Sequence, residues 1–307
     1  MTDAGRSRRI LLAGPVDLGL TIGPLRRGAG DPMTRVGRAT AWRATRTPAG
    51  PATERIELVP GGALVTAWGL GAEWLLEAAP DLLGADDDPG AFRPAQPLLR
   101  RLAARHAGLR IGRSRAVVEA LVPAILEQKV TGEQARRGLR GLVRAHGEPA
   151  PGPVPPDGRS LWLPPLPEAL ARLPYHAYHP FGIERRRAEA IRRVAADAGR
   201  LEDLVGSPLP EAQVRLRAYP GIGPWTAAEV AQRALGDPDA VSVGDFHLPD
   251  LVAWALAGEP RGTDERMLEL LEPYHGQRGR VVRLLEASGI RAPAYGPRLA
   301  PRRIERD

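Results

Sequence analysis

Apolar side chains alternate with small or polar ones at Val16, Leu18, Leu20 and Ile22, the period of two that marks a half-buried strand. The signal returns downstream, where Ile56 and Leu58, a Pro60-Gly61-Gly62 corner, and Leu64, Thr66 and Trp68 predict a β-hairpin. An amphipathic stretch from Ala72 to Leu83 then supplies a helix to cover that sheet. The acidic run Gly84 to Pro94, rich in glycine and proline, marks a boundary. Residues 1–90 are therefore expected to form a small N-terminal α+β domain.

From residue 91 to 290 the spacing becomes helical, and local chemistry marks several helix starts. Ser114 is expected to cap a helix running towards Glu127, Thr131 and Gln134 form a T-x-x-Q capping box, and Thr263 caps a helix over Asp264 to Glu272. The stretch Gly147 to Pro167 holds eight prolines and is expected to be a connection without helix or sheet. Residues 291–307, rich in arginine and proline, read as a disordered basic tail. The expected fold is mainly α, with the small α+β domain in front of a helical bundle in two subdomains.

With 307 residues, 43% of them hydrophobic, the chain can bury a substantial core. A net charge of +7 and a pI near 10.5 suit a polyanionic partner. The basic residues are almost all arginine, with Lys129 the one lysine, which fits bidentate phosphate contacts and a GC-rich gene equally well. The lack of cysteine excludes disulfides, thiolate zinc sites and ordinary iron–sulfur clusters. The early apolar run is broken by Gly14, Pro15 and Asp17, and no stretch of membrane-spanning length follows. A cytoplasmic, nucleoid-associated monomer of bacterial type is expected.

The most informative segment is RLRAYPGIGPWTAAEVAQRAL, in which a helix ends at Pro220, Gly221 and Gly223 bracket Ile222, and Pro224 opens a second helix. Both glycines are expected to accept positive φ and to leave their amides uncovered, so the corner forms an anion site at the positive end of a helix dipole. A turn of this kind also serves proteins that need only a sharp corner. Some twenty residues on, DAVSVGDFHLPDLVAWAL carries Asp245, which either caps the following helix or does chemistry, and the two roles are compatible.

These residues resemble the helix-hairpin-helix (HhH-GPD) DNA glycosylase superfamily, and most nearly its AlkA type, the DNA-3-methyladenine glycosylase II family. The likeness runs from about Ser114 through Leu285, and more weakly back to Val16. It implies that Gly221, Ile222, Gly223 and Thr226 grip the DNA backbone and that Asp245 stabilises the sugar cation formed as a damaged, everted base departs. Enzymes of the superfamily that also cut the strand carry a lysine where this chain has Trp225, so the resemblance implies base removal that stops at an abasic site. Trp225 either lines the base pocket or packs in the core, and Tyr274 in EPYHGQRGR either stacks on the everted base or packs likewise.

Two positions depart from the pattern. Glu229 stands where the AlkA type shows an aromatic; it could bond a base edge or attract a cationic base, but is expected to face solvent. In AILEQKVTGEQA, Lys129 stands near the apolar wedge position, and either touches phosphate with Gln128 nearer the base stack or is an exposed helix end. The helix carrying Glu184, Arg185, Arg186, Arg187, Arg192 and Arg193 is expected to be a solvated basic face, and His247 a capping or surface residue.

The expected activity is removal of alkylated bases such as 3-methyladenine from double-stranded DNA, without catalytic metal or organic cofactor, with at most a monovalent cation on the hairpin carbonyls. Action on deaminated or oxidised bases and a non-catalytic DNA-binding role remain as alternatives.

Overall fold

The computed structural model describes residues 4–293, so the expected tail lies outside the described residues from residue 294 onward. The chain is mainly helical, with one five-stranded antiparallel sheet at its N-terminal end, of order β1-β5-β4-β3-β2. Its strands are β1 (Arg6–Leu11), β2 (Thr34–Val36), β3 (Thr40–Thr47), β4 (Gly50–Val59) and β5 (Gly62–Trp68). The predicted hairpin is the β4–β5 pair, closed at Val59 opposite Gly62. Gly62 must be glycine, since a Cβ there would lie 1.9 Å from the Ile10 carbonyl oxygen.

The strand expected over residues 16–22 is instead a short helix, α1 (Leu18–Thr21), capped by the Asp17 carboxylate, which accepts from Leu20 N at 3.0 Å. Leu18 and Ile22, four residues apart, are both fully buried, so a helical spacing was read as alternation. The true first strand, β1, exposes nearly all its side chains and carries Arg6, Arg8 and Arg9, and so lacks an apolar signal.

One sheet face packs Ile56, Val65 and Ala67 against Leu75, Leu76 and Ala79 of α2 (Ala72–Leu82). The other carries Trp42 stacked on Trp68 at 5.6 Å and is covered by Leu161 and Leu163. Those leucines come from the proline-rich connection, which holds a two-stranded ribbon of β6 (Glu148–Pro149) and β7 (Trp162–Leu163), contrary to expectation. Ribbon edges tolerate proline because they leave amides unpaired anyway.

The helices form two packed groups. The larger is built round α4 (Val117–Leu126), buried along its length apart from Glu119, with α5 (Gly132–His146), α6 (Pro167–Arg172), α7 (Arg185–Ala196), α8 (Ala198–Glu202), α9 (Leu209–Arg217) and α10 (Pro224–Val230). The smaller joins α3 (Pro97–Arg105) to α11 (Leu248–Ala257), α12 (Asp264–Leu271) and α13 (Arg278–Ser288). The Thr131–Gln134 capping box and the Thr263 cap form as expected. Ser114 does not cap α4; the Glu202 carboxylate does, accepting from Val117 N at 2.8 Å and Val118 N at 2.9 Å. A carboxylate at the positive helix end supplies both acceptors at once, and it comes from a distant point in sequence.

Residues 20–31 tie the N-terminal part to both groups. Arg27 pairs with Glu127 at 3.1 Å, Arg233 Nε donates to the Pro24 carbonyl at 3.0 Å, and Arg283 donates to the Leu20 carbonyl. Among the described residues no helix is long and apolar enough to cross a membrane.

Candidate functional site

Between α9 and α10 the chain turns through Tyr219 to Gly223, with Ile222 N donating to the Tyr219 carbonyl at 3.0 Å. The Ile222 side chain is buried in the core and anchors the corner. Gly221 has φ +96°, and a Cβ on it would press on Ala190 Cβ of α7 at 3.2 Å. Gly223 departs from expectation: its φ of −91° and ψ of −178° are open to any residue. It is exposed and caps α10, and a Cβ there would meet nothing within 4 Å. The protein itself gives no reason for glycine at this position, whereas a ligand lying against the backbone would. The amides of Trp225 and Thr226 fall in the first turn of α10, where no helical carbonyl precedes them. The helix continues through a π-helical turn, Ala231–Leu235.

Gln128, from the loop after α4, is bound to this corner, its Nε2 donating to the Gly221 carbonyl and to Thr226 Oγ1, both at 2.9 Å. Thr226 is buried, and its hydroxyl is engaged by Gln128. Lys129 is exposed at the loop tip with φ +54°, a left-handed conformation unusual for a side-chain-bearing residue. Beneath the loop, Arg187 is buried and donates to the Leu126 carbonyl at 3.0 Å and to the Gly182 carbonyl at 3.1 Å, so it is no part of the basic face expected on α7. That face keeps Arg185 and Arg193, both paired with Glu189, and Arg193 also reaches the Pro220 carbonyl at 3.4 Å.

Asp245 lies directly beside the corner. Its Oδ1 accepts from the amides of His247 at 2.8 Å and Leu248 at 2.9 Å, and its Oδ2 accepts from the Trp225 indole Nε1 at 3.1 Å. Capping accounts for one oxygen only, and the other is held by the second residue of the hairpin helix. Trp225 is half-buried and turned to the aspartate rather than into the core. The neighbouring Phe246 is 79% exposed and touches His247 edge-on, with ring centres 4.9 Å apart.

Glu229 does not face solvent. It is buried, with Oε2 2.6 Å from Arg233 Nη1 and Oε1 accepting from Ser242 Oγ at 2.6 Å, and burial keeps it from a base edge. Tyr274 is half-buried, packed against the core of the smaller helical group with its ring 6.2 Å from that of Phe92, and burial pushes its phenol pKa up. No described contact joins its ring to Asp245. Sequence reasoning passed over Ser242, Arg233, Phe246 and Glu286. The Glu286 carboxyl is pushed up first by desolvation, then by the nearby charges of Glu229 and Asp245. Of these only Arg233 had a readable signal, its i+4 spacing from Glu229.

No family model matches the chain. It is 35% identical over 171 residues to a Mycobacterium tuberculosis protein named "Probable bifunctional transcriptional activator/DNA repair enzyme AlkA", a match covering 54% of this chain and 34% of that one. It is 27% identical over 184 residues to a DNA-3-methyladenine glycosylase of Bacillus subtilis, covering 59% of each. The chain thus spans well under two thirds of the length of these relatives. Among solved structures, a 3-methyladenine DNA-glycosylase of Archaeoglobus fulgidus superposes with a TM-score of 0.77 over 92% of this chain and 98% of that one, at 22% identity, a likeness of fold.

Proposed function

We propose that this chain, which is similar in sequence and fold to DNA-3-methyladenine glycosylases, is an AlkA-type helix-hairpin-helix glycosylase that removes alkylated bases from duplex DNA and leaves an abasic site. The observation that carries the reading is the Asp245 carboxylate, 3.1 Å from the indole of a residue in the first turn of the hairpin helix. A phosphate seated on the amides about Gly223 brings the adjoining sugar to that carboxylate once its base has left the stack. As the glycosidic bond stretches, positive charge grows on the sugar, and the fixed carboxylate stabilises it and accepts a proton from the attacking water. Water and the carboxylate suffice for this hydrolysis, and no step is routed through a metal, cofactor or cation.

Trp225 carries no amine and cannot form an imine with the sugar, so the strand stays intact. Phe246, 79% exposed beside Asp245, offers an aromatic surface on which a cationic purine can stack. The alternative of deaminated or oxidised substrates rested on a free Glu229, and that carboxylate is occupied.

A panel of duplexes, each with one alkylated purine, hypoxanthine, uracil or 8-oxoguanine, tests the reading. Release from the alkylated duplex, an intact abasic strand and no borohydride-trapped adduct are expected. Tight binding to abasic DNA without release of any base would make the chain a DNA-binding protein instead, and a trapped adduct through Lys129 would overturn the monofunctional assignment.

A further inference from the structure

Trp225, Glu229 and Arg233 follow one another at four-residue spacing along α10 and its π-helical extension, and so share a face. Two of them grip the segment that bears the acid: Trp225 bonds Asp245, and Glu229 bonds Ser242. Ser242 and Asp245 are the two ends of one turn, closed by Asp245 N donating to the Ser242 carbonyl at 3.2 Å. The third, Arg233, neutralises Glu229 at 2.6 Å and is itself fixed by the Pro24 carbonyl at 3.0 Å, while Gln232 Nε2 donates to the Ala240 carbonyl at 3.0 Å.

A buried ion pair costs desolvation that an apolar pair at the same place would avoid, so its retention calls for a task. We infer that Glu229 is a positioning residue: with Trp225 it clamps the two ends of the 242–245 turn onto the hairpin helix, and thereby fixes the Asp245 carboxylate relative to the phosphate-binding corner. Both carboxylate oxygens of Glu229 end inside the protein, which separates this role from contact with a base. Through Arg233, which donates to the Pro24 carbonyl, the Glu229 strut is braced against residues of the N-terminal part. The inference rests on the proposed chemistry for its catalytic meaning, but the clamp itself is a property of the free protein.

The test uses Glu229→Leu, Glu229→Gln and Ser242→Ala in the full chain, with two readouts. In single-turnover excision from an alkylated duplex, Glu229→Leu and Ser242→Ala are expected to be slower by about tenfold or more, because small displacements of a reacting group carry large rate penalties. Binding of abasic duplex should stay at the parental level, since the corner is untouched. In hydrogen exchange, the amides of His247 and Leu248, which are held by Asp245, should exchange about tenfold faster in both variants. Glu229→Gln, which keeps an acceptor for Ser242, should restore most of that protection. Parental excision and parental exchange in a folded Ser242→Ala protein would overturn the inference. If the wild type releases no base at all, the functional reading falls, and the exchange readout alone then decides whether the clamp exists.

Discussion

Asp245→Asn should lower single-turnover base release from an alkylated duplex by about a thousandfold, the scale on which loss of a fixed electrostatic stabiliser is felt. The substitution isolates charge from structure. Asparagine caps helices as well as aspartate does, and its carbonyl oxygen can keep the bonds from His247 and Leu248 now made by Oδ1. Its amide group, set against the Trp225 indole N–H, loses the bond that Oδ2 accepts, a local cost that leaves the fold standing. The melting temperature and the affinity for abasic duplex should therefore stay near the parental values. Release at the parental rate would reduce Asp245 to a helix cap.

Gly223→Asp is expected to separate the anion site from the mere corner. Gly223 has extended backbone and open space where a Cβ would stand, and it occupies the N-cap of α10, where aspartate is favoured. The variant should thus fold with unchanged or higher stability. A carboxylate placed where a phosphate is to sit costs several kcal/mol, so duplex affinity should fall by about a hundredfold, most strongly at low salt. The same change at Gly221 would confound the reading, because φ +96° and the nearby Ala190 strain any side chain there. Parental affinity in Gly223→Asp would show that the turn serves folding alone.

What could be read from the sequence was whatever chemistry is local. The capping box at Thr131 and the corner between α9 and α10 depend on residues a few places apart, and both formed, although Gly223 is extended rather than at positive φ; Asp245, twenty residues on, meets the hairpin helix through Trp225. Long-range contacts were not readable. Nothing near Ser114 foretells that Glu202 caps α4, and nothing near Glu229 foretells that Ser242 folds back onto it. Charge misled about burial, since Glu229 and Arg187, both expected in solvent, are buried. The short α1 helix shows the limit of periodicity: over a few residues, burial at four-residue spacing and alternation mark the same positions.

A phosphate on the Gly221–Gly223 corner is expected to deliver the adjoining sugar to Asp245. A crystal structure with a duplex carrying a cationic pyrrolidine in place of the target sugar tests it most directly. It should show a phosphate on the amides beside Gly223 and an Asp245 carboxylate oxygen about 3–3.5 Å from the ring cation. A phosphate on the corner with the pyrrolidine turned away from Asp245, or a duplex bound on another face of the protein, would contradict it.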